Sequence, residues 1–215
     1  NDSLKKSEGI ELLNNKSELE YLLNHKSIDI IISAISGFSG LETTFMAAQS
    51  GKIILLANKE SIVVAGDIIL PLAKKHNTKI IPIDSEHNAI FQCLNSEKNT
   101  DDVSKIIITA SGGPFLNKKV DDLSGVTKRE ALNHPNWKMG SKITIDSATL
   151  VNKCLELIEA KYLFNLNEEY FELVVHPQSI IHSIVTYKDG SSICQMSNPD
   201  MRVPISHALS LEESR

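Results

Sequence analysis

The sequence predicts an α/β chain in two parts: a parallel sheet with crossover helices over 1–84, then an α+β arrangement over 85–215. Three observations carry this. Compact β-branched runs alternate with helical stretches in the first part, the pattern of successive βαβ units. After Glu86 the texture changes to strands of uneven spacing and a hairpin signal at Asp189-Gly190. The 215 residues are 41% hydrophobic, enough to bury one good core or to build two small domains.

Taken in order, Leu12, Leu13, Leu19, Leu22 and Leu23 among charges predict an amphipathic helix over 11–24. Ile28-Asp29-Ile30-Ile31-Ile32 reads as a buried strand. Gly37 and Gly40 punctuate the next turn, Leu41 to Ser50 looks helical, and Gly51 is placed to end that helix. Ile53 to Leu56 is a second buried strand, Ser61 to His76 a helix weakened by Gly66 and Pro71, and Lys79 to Ile83 a third strand. Asn88 to Leu94 reads as a helix, and the polar stretch from Asn95 to Asp102 as a loop. Ile106 to Thr109 is a strand that ends in Ala110-Ser111-Gly112-Gly113-Pro114. Residues 116–142 read as polar loop, and Asp146 to Phe164 is the strongest helical stretch of the chain. Val174-Val175, Ile180 to Tyr187 and Ser191 to Met196 complete the second part as strands.

Bulk properties narrow the function. Net charge is −5 and no basic stripe appears, which argues against a nucleic-acid partner. No apolar run reaches the ~18 residues of a membrane span, and Asn1 to Gly9 do not resemble a signal peptide. Cys93, Cys154 and Cys194 are odd in number and match neither a zinc spacing nor a disulfide framework, which points to a reducing cytoplasm.

Chemistry concentrates at Ile83-Asp84-Ser85-Glu86-His87-Asn88. In an extended segment Asp84 and Glu86 would point to one side, and two carboxylates so placed repel unless a cation lies between them. Taken alone, a helix cap at Asp84 is the better explanation of that residue, and the cation reading gains only from partners elsewhere in the chain. Asn152, Lys153 and Glu156 share one helix face, so Glu156 offers a third carboxylate, and three oxygen ligands without cysteine suit Mg²⁺ or Mn²⁺. Ser111-Gly112-Gly113 can form an anion nest or an ordinary tight turn. Ser147, read as lying near a helix N-terminus, with Asn152 and Lys153 would complete a phosphate site. His134 lies in a Pro-, Trp- and Gly-containing loop long enough to act as a lid. His87 is placed to steady the carboxylates from behind. His176 and His182 receive no role from spacing.

These stretches closely resemble the 1-deoxy-D-xylulose 5-phosphate reductoisomerases. The match runs through Leu56-Ala57-Asn58-Lys59-Glu60-Ser61, Ile83 to Gln92 and Ala110 to Phe115. It continues through His134-Pro135-Asn136-Trp137-Lys138-Met139-Gly140, Asp146-Ser147-Ala148-Thr149 with Asn152-Lys153, Val175 to Ser179 and Asn198 to Arg202. Order and spacing hold from about Ile28 to Leu209.

The resemblance implies a partial Rossmann-like sheet, the C-terminal part of an NADPH-binding domain, followed by a catalytic domain. It implies Asp84, Glu86 and Glu156 as ligands of Mg²⁺ or Mn²⁺, with Lys59, Glu86 and His134 in the chemistry. Ser85, Ser111, His134, Trp137, Ser147, Asn152, Lys153 and Met201 would hold the phosphorylated substrate. Asn58, Lys59, Glu60 and Met139 would lie near the NADPH. The implied reaction is the NADPH-dependent rearrangement and reduction of 1-deoxy-D-xylulose 5-phosphate to 2-C-methyl-D-erythritol 4-phosphate in non-mevalonate isoprenoid synthesis. A homodimer is implied, in the cytoplasm or in a plastid-like organelle if the source is eukaryotic. The family's Gly-rich pyrophosphate turn and its C-terminal helical domain have no counterpart in these 215 residues, so the resemblance is to a fragment. Two rivals are a Rossmann-type dehydrogenase of another phosphorylated substrate, and a ligand-binding fragment without turnover.

Overall fold

The computed structural model describes residues 15–94 and 100–210. Leu12 and Leu13 of the first expected helix lie outside the described residues. Its remainder is α1, Lys16–Leu23, capped by the Asn15 side chain accepting from the Glu18 amide at 2.9 Å.

The first part is built as the hydrophobic runs require. β1 (Ile30–Ser33), β2 (Ile53–Leu56) and β3 (Lys79–Pro82) form a parallel sheet in the order β1-β2-β3. Ile54, Leu55, Leu56 and Ile81 are fully buried. The crossovers are α2 (Leu41–Ala48) and α3 (Lys59–Lys75). Pro71 does not break α3, but the helix is kinked at Ala65 (φ −142°, ψ 30°), next to Gly66. Gly66 has its own reason: a Cβ there would stand 2.7 Å from the Tyr162 ring, so only glycine lets α3 lie this close to α7 (Val151–Phe164).

The second part is a mixed sheet of β4 (Val103–Ala110), β5 (Phe171–Val175), β6 (Ile181–Tyr187) and β7 (Ser192–Met196) in the order β5-β4-β6-β7. β4 pairs parallel to β5 and antiparallel to β6, and β6 and β7 form the expected hairpin. α4 (Ser85–Cys93) packs against β6 and β7, and α8 (Arg202–Leu209) packs on α4. The two sheets fall on either side of Asp84, and one hydrophobic cluster runs through both. No helix among the described residues is long and apolar enough to cross a membrane.

Several expectations need correction. Asp84 and Glu86 do not alternate along a strand: Asp84 is the N-cap of α4, its carboxylate accepting from the Glu86 amide at 3.2 Å, and Glu86 lies in the first helical turn. The expected helix from Asp146 to Phe164 is two helices, α6 (Ser141–Ala148) and α7, divided at Leu150, whose φ of 62° is left-handed. The stretch 116–142 is not loop throughout. It holds a 3₁₀ turn at Val120–Gly125, the short helix α5 at Lys128–Ala131 with a complete capping box from Thr127 and Glu130, and the start of α6.

Candidate active site

The strand ends, the α4 and α7 N-terminal turns and the loop 133–140 enclose a cavity of about 280 Å³. Lys59, Asp84, Ser85, Glu86, Ser111, His134, Trp137, Met139, Ser147, Asn152, Lys153, Glu156 and Met201 all line it. Asn58 and Glu60 do not. Asn58 caps α3, accepting from the Ser61 amide at 2.8 Å, while its own amide donates to the carbonyls of Ile35 (2.5 Å) and Gly37 (2.9 Å). Glu60 pairs at 2.5 Å with Lys142, which also reaches Asp146 at 2.6 Å, tying α3 to α6.

At one end of the cavity the carboxylates converge. Oxygens of Asp84, Glu86 and Glu156 lie within 4.8 Å of one another, the one such group among the described residues. Two lysines run between them. Lys59 Nζ donates to Asp84 Oδ2 (2.8 Å), Asn152 Oδ1 (2.8 Å) and Glu156 Oε1 (3.1 Å). Lys153 Nζ donates to Glu86 Oε1 and, at 2.6 Å, to Glu156 Oε2. Three carboxylates against two ammonium groups leave an excess negative charge in a dry site. Hard oxygen donors without sulfur, closely spaced and under-neutralised, fit a Mg²⁺ or Mn²⁺ ion.

The charges hold one another in place. Burial works against the Lys59 ammonium, but Asp84, Glu156 and Glu159 outweigh it and keep its pKa well above the ordinary lysine value. Lys153 is also raised, burial being outweighed by Glu156 and Glu86. Asp84 is held well below the carboxylate range despite burial, chiefly by Lys59 and His87. Glu156 is pushed up, first by burial and then by the charge of Glu86.

The other end suits an anion. Gly112 and Gly113 have φ of 86° and 70°, so the turn after β4 needs glycine at both positions. Ser111 Oγ faces His134 Nε2 at 2.9 Å and accepts from the Gly113 amide at 3.2 Å. His134 Nδ1 accepts from the amides of Trp137 (3.0 Å) and Asn136 (3.2 Å), so its proton is on Nε2 and points at Ser111. With two donors already on its oxygen, Ser111 is left with its own O–H to give to a ligand. Burial lowers the His134 pKa, in keeping with a neutral ring. Ser147 is in the last turn of α6, not at a helix start. The left-handed Leu150 instead divides α6 from α7, and the start of α7 lies beside Ser111 and Gly112, with Ser147, Asn152 and Lys153 lining the same recess.

His182 has no sequence signal for a role, yet it lines the cavity. Ile181 pairs with Met196 and Ser183 with Gln195, so His182 is the extra residue of a bulge in β6. A bulge beside a site re-aims one side chain. Here it sets His182 edge-on to Trp137, ring centroids 6.1 Å apart, with Ser197 Oγ 3.0 Å from its Nε2. His176 accepts from the Ile180 amide at 3.1 Å and serves the turn. His87 does stand behind the carboxylates, Nδ1 3.0 Å from Asp84 Oδ1.

Known proteins resemble this chain in sequence and fold. A model described as the 1-deoxy-D-xylulose 5-phosphate reductoisomerase C-terminal domain matches residues 80–164, and one described as 1-deoxy-D-xylulose 5-phosphate reductoisomerase matches residues 1–66. The reductoisomerase of Francisella tularensis subsp. novicida is 50% identical over 202 residues, 93% of this chain and 52% of that protein. That of Thermoanaerobacter sp. is 52% identical over 208 residues, 97% of this chain and 53% of that protein. A reductoisomerase crystal structure in complex with NADPH, fosmidomycin and magnesium superposes with a TM-score of 0.88 at 46% identity, covering 94% of this chain and 52% of that one. The Zymomonas mobilis enzyme in complex with NADPH gives 0.84 at 47% identity, covering 93% and 51%. The chain thus spans about half the length of the curated relatives it matches. With matching sequence models, half of all residues identical and the same fold, the chain belongs to the 1-deoxy-D-xylulose 5-phosphate reductoisomerase family.

Proposed function

We propose that this chain forms the metal- and substrate-binding part of an NADP-dependent oxidoreductase and isomerase. The reaction is the conversion of 1-deoxy-D-xylulose 5-phosphate to 2-C-methyl-D-erythritol 4-phosphate. The carrying observation is one cavity with the Asp84, Glu86 and Glu156 carboxylates at one end, the Ser111 and Ser147 donors at the other, and Asn152 and Lys153 between them, both hydrogen-bonded to Glu156. A divalent cation held by those carboxylates would supply Lewis acidity and a template for a hydroxyketone, and NADPH the hydride.

The chain's own residues do the rest. Lys59 places a fixed positive charge, and Ser85 a hydroxyl, where a substrate carbonyl gains negative charge. Ser111, Ser147, Asn152 and Lys153 take the phosphate, which orients the substrate from a point remote from the bond changes. His134 and Trp137 close that side against water, and Met139 and Lys59 border the space for the nicotinamide. Asn58 shapes the cofactor side by pinning the loop after β1, and Glu60 by its tie to α6. Met201 closes the wall from the α8 side. The active species is a homodimer in the cytoplasm, or in a plastid-like organelle of a eukaryote. The edge strand β5, with Leu173, Val174 and Val175 exposed, is the kind of edge that pairing would cover. Light scattering at micromolar concentration should return the mass of two chains.

Calorimetric titration with a phosphonate–hydroxamate substrate mimic tests the site. The mimic should bind in Mn²⁺ and be released by a chelator. A simple dehydrogenase of a phosphorylated substrate predicts binding that chelation leaves unchanged.

A further inference from the structure

We infer that Lys142 is a positioning residue: bridged between Glu60 on α3 and Asp146 on α6, it holds α6 so that Ser147 keeps its place on the phosphate side of the cavity. The consequence for ligand affinity rests on the phosphate-site reading.

α6 cannot hold itself. It has eight residues, fewer than the ~12–15 an isolated helix needs in water. Its N-cap, Gly140, has no side chain to accept from the first amides. Its place is therefore set by what it touches. α6 packs on α7 and on the short α5. Ile143 and Ser147, four apart, put one face of it on the cavity, and Met139 lines the same wall just before the helix begins.

Lys142 and Asp146 are also four apart, but neither they nor Glu60 line the cavity. Lys142 Nζ stands 2.5 Å from Glu60 Oε1 and 2.6 Å from Asp146 Oδ2. The two carboxylates are 17% and 18% exposed, against 44% for the lysine, so the bridge is shielded on its acidic side. Among the described residues Glu60–Lys142 is the one salt bridge between α3 and α6. The other Glu60 oxygen accepts from the Asn58 side-chain amide at 3.3 Å, and that amide also holds the carbonyls of Ile35 and Gly37. The Lys142 stem passes beside the same loop, its Cε 3.9 Å from where a Cβ on Gly37 would stand. A single ammonium thus joins the loop after β1, the start of α3 and α6. Asp146 is the chain neighbour of Ser147, so the junction sits one residue from a donor of the phosphate site.

Charges outside the cavity can act on a bound anion in two ways. Through space, Lys142 would attract a phosphonate and Glu60 would repel it, so removing Glu60 would tighten binding. Through position, the pair works as a unit, and removing either partner weakens binding.

The test is calorimetric titration of the 215-residue chain with the phosphonate–hydroxamate mimic in Mg²⁺, for wild type, K142M, E60M and the double variant. K142M and E60M should each bind about three- to fivefold more weakly, the scale of one partly exposed ion pair, and the double variant no more weakly than K142M. E60M that binds as tightly as wild type, or more tightly, overturns the inference, and so do losses that add in the double variant. Mn²⁺ affinity without the mimic should stay within about twofold of wild type, because the carboxylate triad stands on α4 and α7. A larger loss shows general damage and overturns the positioning role, as does a pair whose removal leaves the chain unfolded. Hydrogen exchange without ligand isolates the bridge itself. Amides of 141–148 should exchange about three- to fivefold faster in both variants while those of α7 keep their rates, and unchanged α6 amides overturn the inference. Wild-type chain that binds no mimic fails the phosphate-site reading, and the exchange rates still decide whether Lys142 holds α6.

Discussion

At the carboxylate end of the cavity, Lys59, Lys153 and Glu156 are 5%, 7% and 1% exposed, and each touches at least one opposite charge. At the lid end, His134, Trp137 and Met139 are only half-buried, and what holds them is neutral: two amides on His134, one serine, one edge-on ring contact. Separating buried charges leaves them unpaired in a dry interior, whereas a neutral hydrogen bond exchanged for one to water changes stability by about 1 kcal/mol. The first end is therefore fixed when the chain folds, and the second is held by contacts that cost little to exchange.

The largest effect should come from breaking the charged end. Glu156→Ala removes an acceptor that Lys59 and Lys153 share while leaving each its other carboxylate, and destabilisation of about 1–3 kcal/mol is expected from urea unfolding. A loss below about 1 kcal/mol would mean that the lysines swing to water, and the contrast between the two ends would fail. Mn²⁺ affinity should fall by more than the ~100-fold upper range seen for outer partners, because here a ligand itself is removed.

A pair of glycines sharpens the same contrast with a smaller effect. At Gly113, φ is 70° and a Cβ would stand 2.8 Å from the Ser147 carbonyl oxygen, so Gly113→Ala should cost at least ~1–2 kcal/mol. Gly140, where the lid loop meets α6, has an ordinary φ of −61° and nothing within 4 Å of a built Cβ. Gly140→Ala should stay within about 0.5 kcal/mol of wild type. Thermal unfolding of the two variants side by side measures the difference. Equal shifts would show that the phosphate-side turn is no more constrained than the lid.

β2 and β3 were legible because both their faces are covered, whereas β1, read as a buried strand, lies at the sheet edge and leaves Ile32 57% exposed. Ile53 to Leu56 and Ile80 to Ile83 are unbroken apolar runs, and the observed β3 ends at Pro82, one residue short of the expected strand. The carboxylate triad was legible for a different reason: Asp84, Glu86 and Glu156 are short-range patterns on two segments, and the resemblance joined them. The division at Leu150 was not legible, since leucine carries no breaking chemistry, yet this residue, 45% exposed, takes a left-handed φ of 62°. Gly66 read as a weakness in a helix until Tyr162, 96 positions away, was placed against it. The bulge at His182 is a matter of pairing register, and the burial of Glu159 depends on α4 lying over α7. Neither is a property of the local sequence.

The smallest effect is optical and concerns the movable end. Trp137 is the single tryptophan of the chain, so emission excited at the red edge of the band reports its loop with no background. In the structure the indole sits edge-on to His182, and the neighbouring Asn136 amide reaches the Pro177 carbonyl and, at 3.3 Å, Ser179 Oγ. A loop pinned permanently by those contacts would keep the indole in one environment whatever the cavity holds. A lid would move it when a ligand fills the space below. A phosphonate–hydroxamate mimic added with Mg²⁺ should therefore shift or quench Trp137 emission, the diamagnetic ion avoiding quenching by the metal itself. His134→Ala removes the link to Ser111 and the acceptor for two loop amides, together worth about 1–2 kcal/mol, so the mimic should bind roughly tenfold more weakly with a smaller spectral change. Constant emission at saturation, with binding verified by calorimetry, would make the loop a fixed wall. The two ends of the cavity would then differ in charge but not in freedom to move.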